Sequence, residues 1–178
     1  MPGKLIVGTI ETQNINFDSD TTAMTINDSG RVTVPQRICF SAQYKTGGGG
    51  ASVGDGLIVF NTADVNKGSG YDTSTGLFTA PVAGTYFFSF HGFCTSSSGG
   101  NKLASGTAFE MRFKKNNSDF DGQGRIYHII DATNYSHVSI NNIVELSAND
   151  TIGVNLTSSY FYASTTNGLN RFEGYLIG

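Results

Sequence analysis

Charge is scarce in this sequence of 178 residues: Asp, Glu, Lys and Arg together make up 14% of it. Glycine accounts for 23 residues, and Ser, Thr and Asn are abundant. Amphipathic helices need charged solvent faces, so this balance favours short strands joined by many turns. No helix is compelling, and no repeat of solenoid period is present. The formal net charge is −3, with a pI near 5.5. Lys114-Lys115 is the one basic doublet. Nucleic-acid affinity rests on clustered Lys and Arg, so a nucleic-acid partner is excluded. Long apolar runs are absent too. Leu5-Ile6-Val7 is too short for a secretory core and nothing later reaches membrane-spanning length, so a soluble, unexported chain without membrane insertion is expected. Cysteines number two. Cys39 and Cys94 are far apart and set among apolar strand residues, which reads as buried free thiols or one long-range disulfide.

Catalytic patterns are equally sparse. His91, His128 and His137 form no metal-ligand pair with a near neighbour, and no serine sits in a nucleophile elbow. The glycine-rich stretches do not end in Gly-Lys-Ser/Thr before a helix, so they cradle no phosphate. Asp119, Asp121 and Asp131 with Asn116 and Asn117 supply oxygen ligands, but their spacing is not that of a helix-flanked calcium loop. A protein that is not an enzyme, and that needs no cofactor, is expected.

What the sequence does have is a stretch over residues 59–90 that ends in four aromatics. Tyr86, Phe88 and Phe90 share one face of a period-two strand, whereas Phe87, Ser89 and His91 share the other. Large apolar area on both faces implies a strand covered on both sides. Upstream, Tyr71-Asp72-Thr73-Ser74-Thr75-Gly76 has the composition of a tight turn, and Ala80-Pro81-Val82-Ala83-Gly84 punctuates the chain again. Further strands are expected at 38–44, 57–60, 107–115, 125–131, 138–146, 151–156 and 171–177. Residues 45–56 and 94–106 are expected as Gly/Ser-rich loops. Eight or more short strands suggest two packed antiparallel sheets.

Residues 1–35 read differently. Asn27-Asp28-Ser29-Gly30 is a hairpin turn between short β-prone segments. Leu5, Val7, Ile10, Ile15, Phe17, Ile26, Val32 and Val34 are the apolar residues of an arm that buries little by itself. Its expected role is to order against another surface, with Pro35 marking the boundary to a domain over 36–178.

The spacing of Phe60, Asn66, Tyr71, Phe78, Gly84, Tyr86, Phe88 and Phe90 resembles the signature of the globular C1q domain family. Ile38-Cys39-Phe40-Ser41-Ala42, the turn Leu146-Ser147-Ala148-Asn149-Asp150-Thr151-Ile152 and the closing Phe172-Glu173-Gly174-Tyr175-Leu176-Ile177 resemble its blocks as well. The resemblance implies an all-β, C1q/tumour-necrosis-factor-like jelly-roll sandwich preceded by a short extended β arm. It also implies a homotrimer packed around a threefold axis on an aromatic-rich face, for which Tyr86, Phe88, Phe90 and Phe172 are the candidates. Calcium is the one cofactor it leaves open, because some relatives bind it near the trimer apex. No collagen-like Gly-X-Y tract precedes the domain, which argues against a complement-like role.

Gly8-Thr9-Ile10-Glu11-Thr12 and the segment from Thr25 through Pro35 resemble attachment leaders ahead of receptor-type knobs in phage structural proteins. The expected function is a trimeric knob or fibre protein on a virion surface, joined to other virion proteins by its arm and binding a host-surface glycan or protein. Tyr127, Tyr135, Tyr160 and Tyr162 could stack on sugars, although core packing is the expected fate of each. The alternative is a soluble, secreted C1q-like lectin or signalling ligand.

Overall fold

The chain divides into two compact units, Met1–Arg37 and Ile38–Gly178. The structure, a computed structural model, describes residues 14–16, 19, 21–45, 49–52, 56–95, 97–98, 101–102, 108–129, 136–157, 160–163 and 168–178. Of residues 49–52, 94–95, 97–98, 101–102, 108–109, 128–129, 136 and 160–163 it describes the backbone alone. Leu5, Val7, Ile10, Phe17, Asp131 and Tyr135 lie outside the described residues.

The first unit is a 3-stranded antiparallel sheet of β1 (Asn14–Asn16), β2 (Thr22–Ile26) and β3 (Val32–Thr33). The expected hairpin joins β2 to β3. Gly30 takes φ +72°, and Asn27 Oδ1 accepts from the backbone N–H groups of Ser29 at 3.0 Å and Arg31 at 2.9 Å, so one side chain holds both limbs of the turn. Register separates the two faces. Ile15 lies opposite Met24, and Ile26 opposite Val32, whereas Asn14, Thr25 and Thr33 line up on the other side. Ile15, Val32 and Val34 are all exposed, so this sheet has an apolar face that it does not cover itself.

The second unit begins with β4 (Cys39–Gln43), β5 (Gly49–Ser52), β6 (Gly56–Leu57), β7 (Thr62–Lys67), β8 (Tyr71–Asp72), β9 (Leu77–Thr79) and β10 (Gly84–Thr95). It continues with β11 (Ser97–Ser98), β12 (Asn101–Lys102), β13 (Ala108–Lys115), β14 (Arg125–Ile129), β15 (Ser136–Leu146), β16 (Thr151–Thr157), β17 (Tyr160–Ala163) and β18 (Arg171–Leu176). A 7-stranded sheet runs β5-β17-β10-β18-β4-β7, with β15 along the opposite edge of β10. A 6-stranded sheet runs β14-β13-β16-β9-β8, with β6 also against β16. The pairings within both sheets are antiparallel. The architecture is an all-β sandwich.

Between the sheets lies an aromatic core. Phe60, Phe78, Tyr86, Phe88, Phe90, Phe113 and Phe172 are fully buried, as alternation along each strand requires. Phe172 sits among five rings, with centroids 4.8 Å from Phe40, 5.8 Å from Phe60, 5.9 Å from Tyr71, 6.0 Å from Phe88 and 5.9 Å from Phe113. Gly174 makes this crowding possible, because a Cβ there would stand 2.6 Å from Phe88 and 2.7 Å from Phe40. Of the signature residues, Phe60, Tyr71, Phe78, Tyr86, Phe88 and Phe90 share this core, while Gly84 is half-buried and Asn66 exposed. Asn66 exchanges two bonds with the backbone of Tyr71, at 2.8 and 3.1 Å, and the Tyr71 hydroxyl donates to the Phe60 carbonyl at 3.1 Å. Gly76, with φ +78°, closes the turn beyond, where a Cβ would stand 2.8 Å from Val59 Cα.

Four expectations are corrected. Tyr86, Phe88, Phe90 and Phe172 are not interface residues: with no exposed area in the subunit, they have none to offer a second copy. The glycine-rich segment 45–56 is not wholly loop, since β5 pairs with β17 through backbone groups that need no large side chain. Segment 94–106 likewise holds the end of β10 and the β11–β12 hairpin. The strand expected at 57–60 is shorter. Gly56–Leu57 pairs with β16, while Ile58 and Phe60 are buried beyond it.

Truncating Phe172 to Ala removes the ring at the centre of the cluster and is expected to cost about 3–5 kcal/mol. Urea denaturation measures it, and a loss below about 1 kcal/mol would show that the cluster is not the keystone described.

Candidate functional site

Turned away from the core, the 7-stranded sheet presents its second face. The register of β10 puts Phe87 between Ile143 on β15 and Tyr175 on β18, and Tyr175 opposite Cys39 on β4. The next row is Asn141, Ser89, Glu173, Ser41 and Val65. Large apolar side chains stand open to solvent here: Ile143 is 62% exposed, Tyr175 43% and Val65 39%. Phe87 is half-buried, its ring 5.3 Å from that of Tyr175. The short side chains of Ser41 and Ser89 leave a hollow of about 320 Å³ between Phe87, Tyr175, Val65 and Cys39. Cys39 is a free thiol, partly exposed in that hollow rather than buried.

Along the same face the chemistry turns polar. Arg171 donates to Ser41 Oγ at 2.8 Å, Ser41 donates to Glu173 at 2.7 Å, and Arg171 pairs with Asp64 at 2.9 Å. Gln43 donates to the same Asp64 carboxylate. Asp64 reaches this group because β7 bulges there: Ser41 faces Val65 and Ala42 faces Ala63, leaving Asp64 as the extra residue. The face therefore has an apolar part over Phe87 and an ion-paired, hydrogen-bonded part over Arg171.

The candidate chemical groups are dispersed. His91 is half-buried beside Arg171 and Ser139. His137 lies against the Phe93 ring at 5.4 Å. Among the described residues no three His, Cys, Asp or Glu side chains are grouped to hold a metal ion. Asp119 is engaged by Arg112 at 3.2 Å, Arg125 at 3.1 Å and Lys114 at 3.9 Å, which leaves little charge for a cation. Asp150, in the acidic turn, is tied down differently. It accepts from Asn116 Nδ2, Lys115 Nζ and the Ser147 N–H, each at 2.8 Å. These contacts, the Asn116 bond foremost, hold its carboxyl down at about 2. Asn116 also accepts from the Thr151 N–H at 2.8 Å, so one amide joins the β13–β14 turn to the β15–β16 turn.

Among the tyrosines considered for sugar stacking, only Tyr127 has a described side chain. It is 65% exposed, which corrects the expectation of core packing. The signal was available in the alternation, because Ile126 packs against the core and its neighbour must face outward.

Residues 39–177 match the C1q domain family. The chain belongs to that family. Its fold is similar to the globular domain of the zebrafish complement 1qA protein, with a TM-score of 0.56 at 17% identity, covering 79% of this chain and 98% of that one. The C1q domain family is non-enzymatic. C1q domains typically trimerise.

Because the Asp150 carboxyl is held below its ordinary value of 3.8, its contribution to stability is complete above that value and lost as pH falls toward about 2. Urea midpoints followed from about pH 5 downward should therefore drop, and Asp150→Asn should flatten that drop. An unchanged acid profile in the variant would contradict the assignment.

Proposed function

We propose that this C1q domain protein is a non-catalytic structural protein of a phage virion: a homotrimeric knob fixed to the particle by residues 1–37. Its exposed surfaces then engage a glycan or protein on the host. The observation that carries the trimer is the row Ile143, Phe87, Tyr175 beside an open hollow. Full burial of such side chains contributes about 1.5–3 kcal/mol each, and a threefold assembly collects that gain at three interfaces. The polar group around Arg171 and Asp64 then sets orientation across the interface rather than strength.

The arm supports carriage on a larger assembly. Ile15, Met24, Ile26 and Val32 share one side of a sheet too small to form a core, so the face awaits a surface. A soluble lectin or signalling ligand would keep the same trimer and use the arm as a leader; the exposed Ile15 and Val32 favour docking. Three knobs acting together make a weak contact effective through avidity.

Sedimentation equilibrium at micromolar concentration is expected to give a trimer. Phe87→Glu combined with Ile143→Glu should give a folded monomer, because the charges buried around the axis, two from each subunit, have no partner. A monomeric parent protein would refute the assembly, and a trimeric double variant would move the interface elsewhere.

Removing residues 1–37 should abolish incorporation into particles, read by mass spectrometry of purified virions, while the domain still trimerises. Normal incorporation of the truncated chain would show that the arm is not the anchor.

A further inference from the structure

The 6-stranded sheet also turns one face outward, and its β14-β13-β16 end is unlike any other surface described. Register sets Arg125 opposite Arg112 and Arg112 opposite Asn155; one row on, Tyr127 lies opposite Glu110 and Glu110 opposite Thr157. The intervening Met111 is buried, and Ile126 packs against the core, so these residues share the solvent side. Two adjacent guanidinium groups would repel one another without the carboxylates set between them. Glu110 lies 2.6 Å from Arg112 and 2.9 Å from Arg125, and Asp119 bridges the same pair at 3.2 and 3.1 Å. Arg125 Nη2 donates a hydrogen bond to Asp119, whereas Glu110 Oε1 and Arg112 Nε form ion pairs without a hydrogen-bond partner at good geometry. Asn155 Oδ1, in the same row, also lacks one among the described residues.

Tyr127 stands at the edge of this cluster. It is the most exposed large hydrophobic side chain among those described. It is nevertheless held in place: Arg125 Nη1 donates to its hydroxyl at 3.1 Å, and the guanidinium carbon lies 5.9 Å from the ring centroid. An exposed ring costs hydration, and this one covers no core. Tyrosine has few torsions to freeze, so a pinned ring makes a low-entropy contact platform.

We propose that this face binds a neutral sugar, with one pyranose ring stacked on Tyr127 and its hydroxyls bridging Arg125, Glu110 and Arg112. A hydroxyl both donates and accepts, and vicinal hydroxyls therefore match guanidinium and carboxylate groups placed side by side. Glu110 and Asp119 compensate the two arginines, with Lys114, 3.9 Å from Asp119, as one further cation at the rim. An acidic sugar would have to displace Glu110 or Asp119 from the arginines, which selects against it. The site lies on the sheet opposite the assembly face and stays open in a trimer, where three copies offset the weak affinity of a flat platform. The inference rests on the glycan-binding part of the proposed function and gives it a location and a ligand class.

The full-length protein is tested on immobilised neutral, sialylated and sulfated oligosaccharides, and by saturation-transfer NMR against a free neutral oligosaccharide from the same panel. Binding to neutral oligosaccharides is expected, unchanged in about 0.5 M sodium chloride because no net charge is paired. Tyr127→Ala should weaken it at least about tenfold and Tyr127→Phe less than about threefold, with sedimentation mass and circular dichroism unchanged in both. Absence of neutral-sugar binding by the folded protein, unaltered binding by Tyr127→Ala, or binding confined to acidic glycans would each overturn the proposal. A Tyr127-dependent NMR contact in a protein that sediments as a monomer would uphold this site and refute the trimer. A trimer with no such contact would do the reverse.

Discussion

The parity of β10 is the constraint on which the rest of the structure depends. This strand is paired on both edges, to β15 and to β18, over the same residues. Its even-numbered aromatics are thereby committed to the core and Phe87 to the outside. A slip of one residue would exchange the two sets, sending Tyr86, Phe88 and Phe90 into water. Phe172 and Gly174 on β18 reinforce the register. The ring fills the space among Phe40, Phe60 and Phe88, while the glycine leaves room for Phe40 and Phe88 to meet. A core made this tightly from rings tolerates little rearrangement.

That single commitment produces two outward faces of different character. On the 7-stranded sheet the residues left outside include Phe87, Tyr175 and Ile143, apolar area that an isolated subunit leaves partly wet. On the 6-stranded sheet they are charged groups that compensate one another, with one exposed ring held by Arg125. The first suits permanent burial against like surfaces. The second suits reversible contact with a hydroxyl-rich ligand. A sandwich with one face of each kind can multiply a weak contact by assembling through its other side.

Much of this was legible in the chain because it is local. Asn27 through Gly30 forms the turn its composition demands, Asn116 and Asn117 take the positive φ that asparagine tolerates in the turn after β13, and Ile152, Val154 and Leu156 are buried together as their spacing requires. The features that were missed depend on distant backbone. Residues 49–52 are strand only because β17 lies beside them. Asp64 is a bulge only relative to β4. Asn66 and Tyr71 stand out in the sequence by spacing, yet their bonding, side-chain amide to backbone and hydroxyl to the Phe60 carbonyl, requires the folded turn.

The sequence by itself determined the strand periodicity, the turns and the family, since alternation, turn composition and the spacing of aromatics are properties of consecutive residues. It also determined that β10 has two apolar faces. It could not say which face the second sheet would cover, and so assigned to an interface the rings that the core consumes. Only the tertiary structure decided that Phe87, Tyr175 and Ile143 are left outside the core and that Tyr127 stands in solvent. The reason is that alternation distinguishes the two sides of a strand without labelling either one; the label comes from the sheet packed against it, which is built from residues far away in the chain.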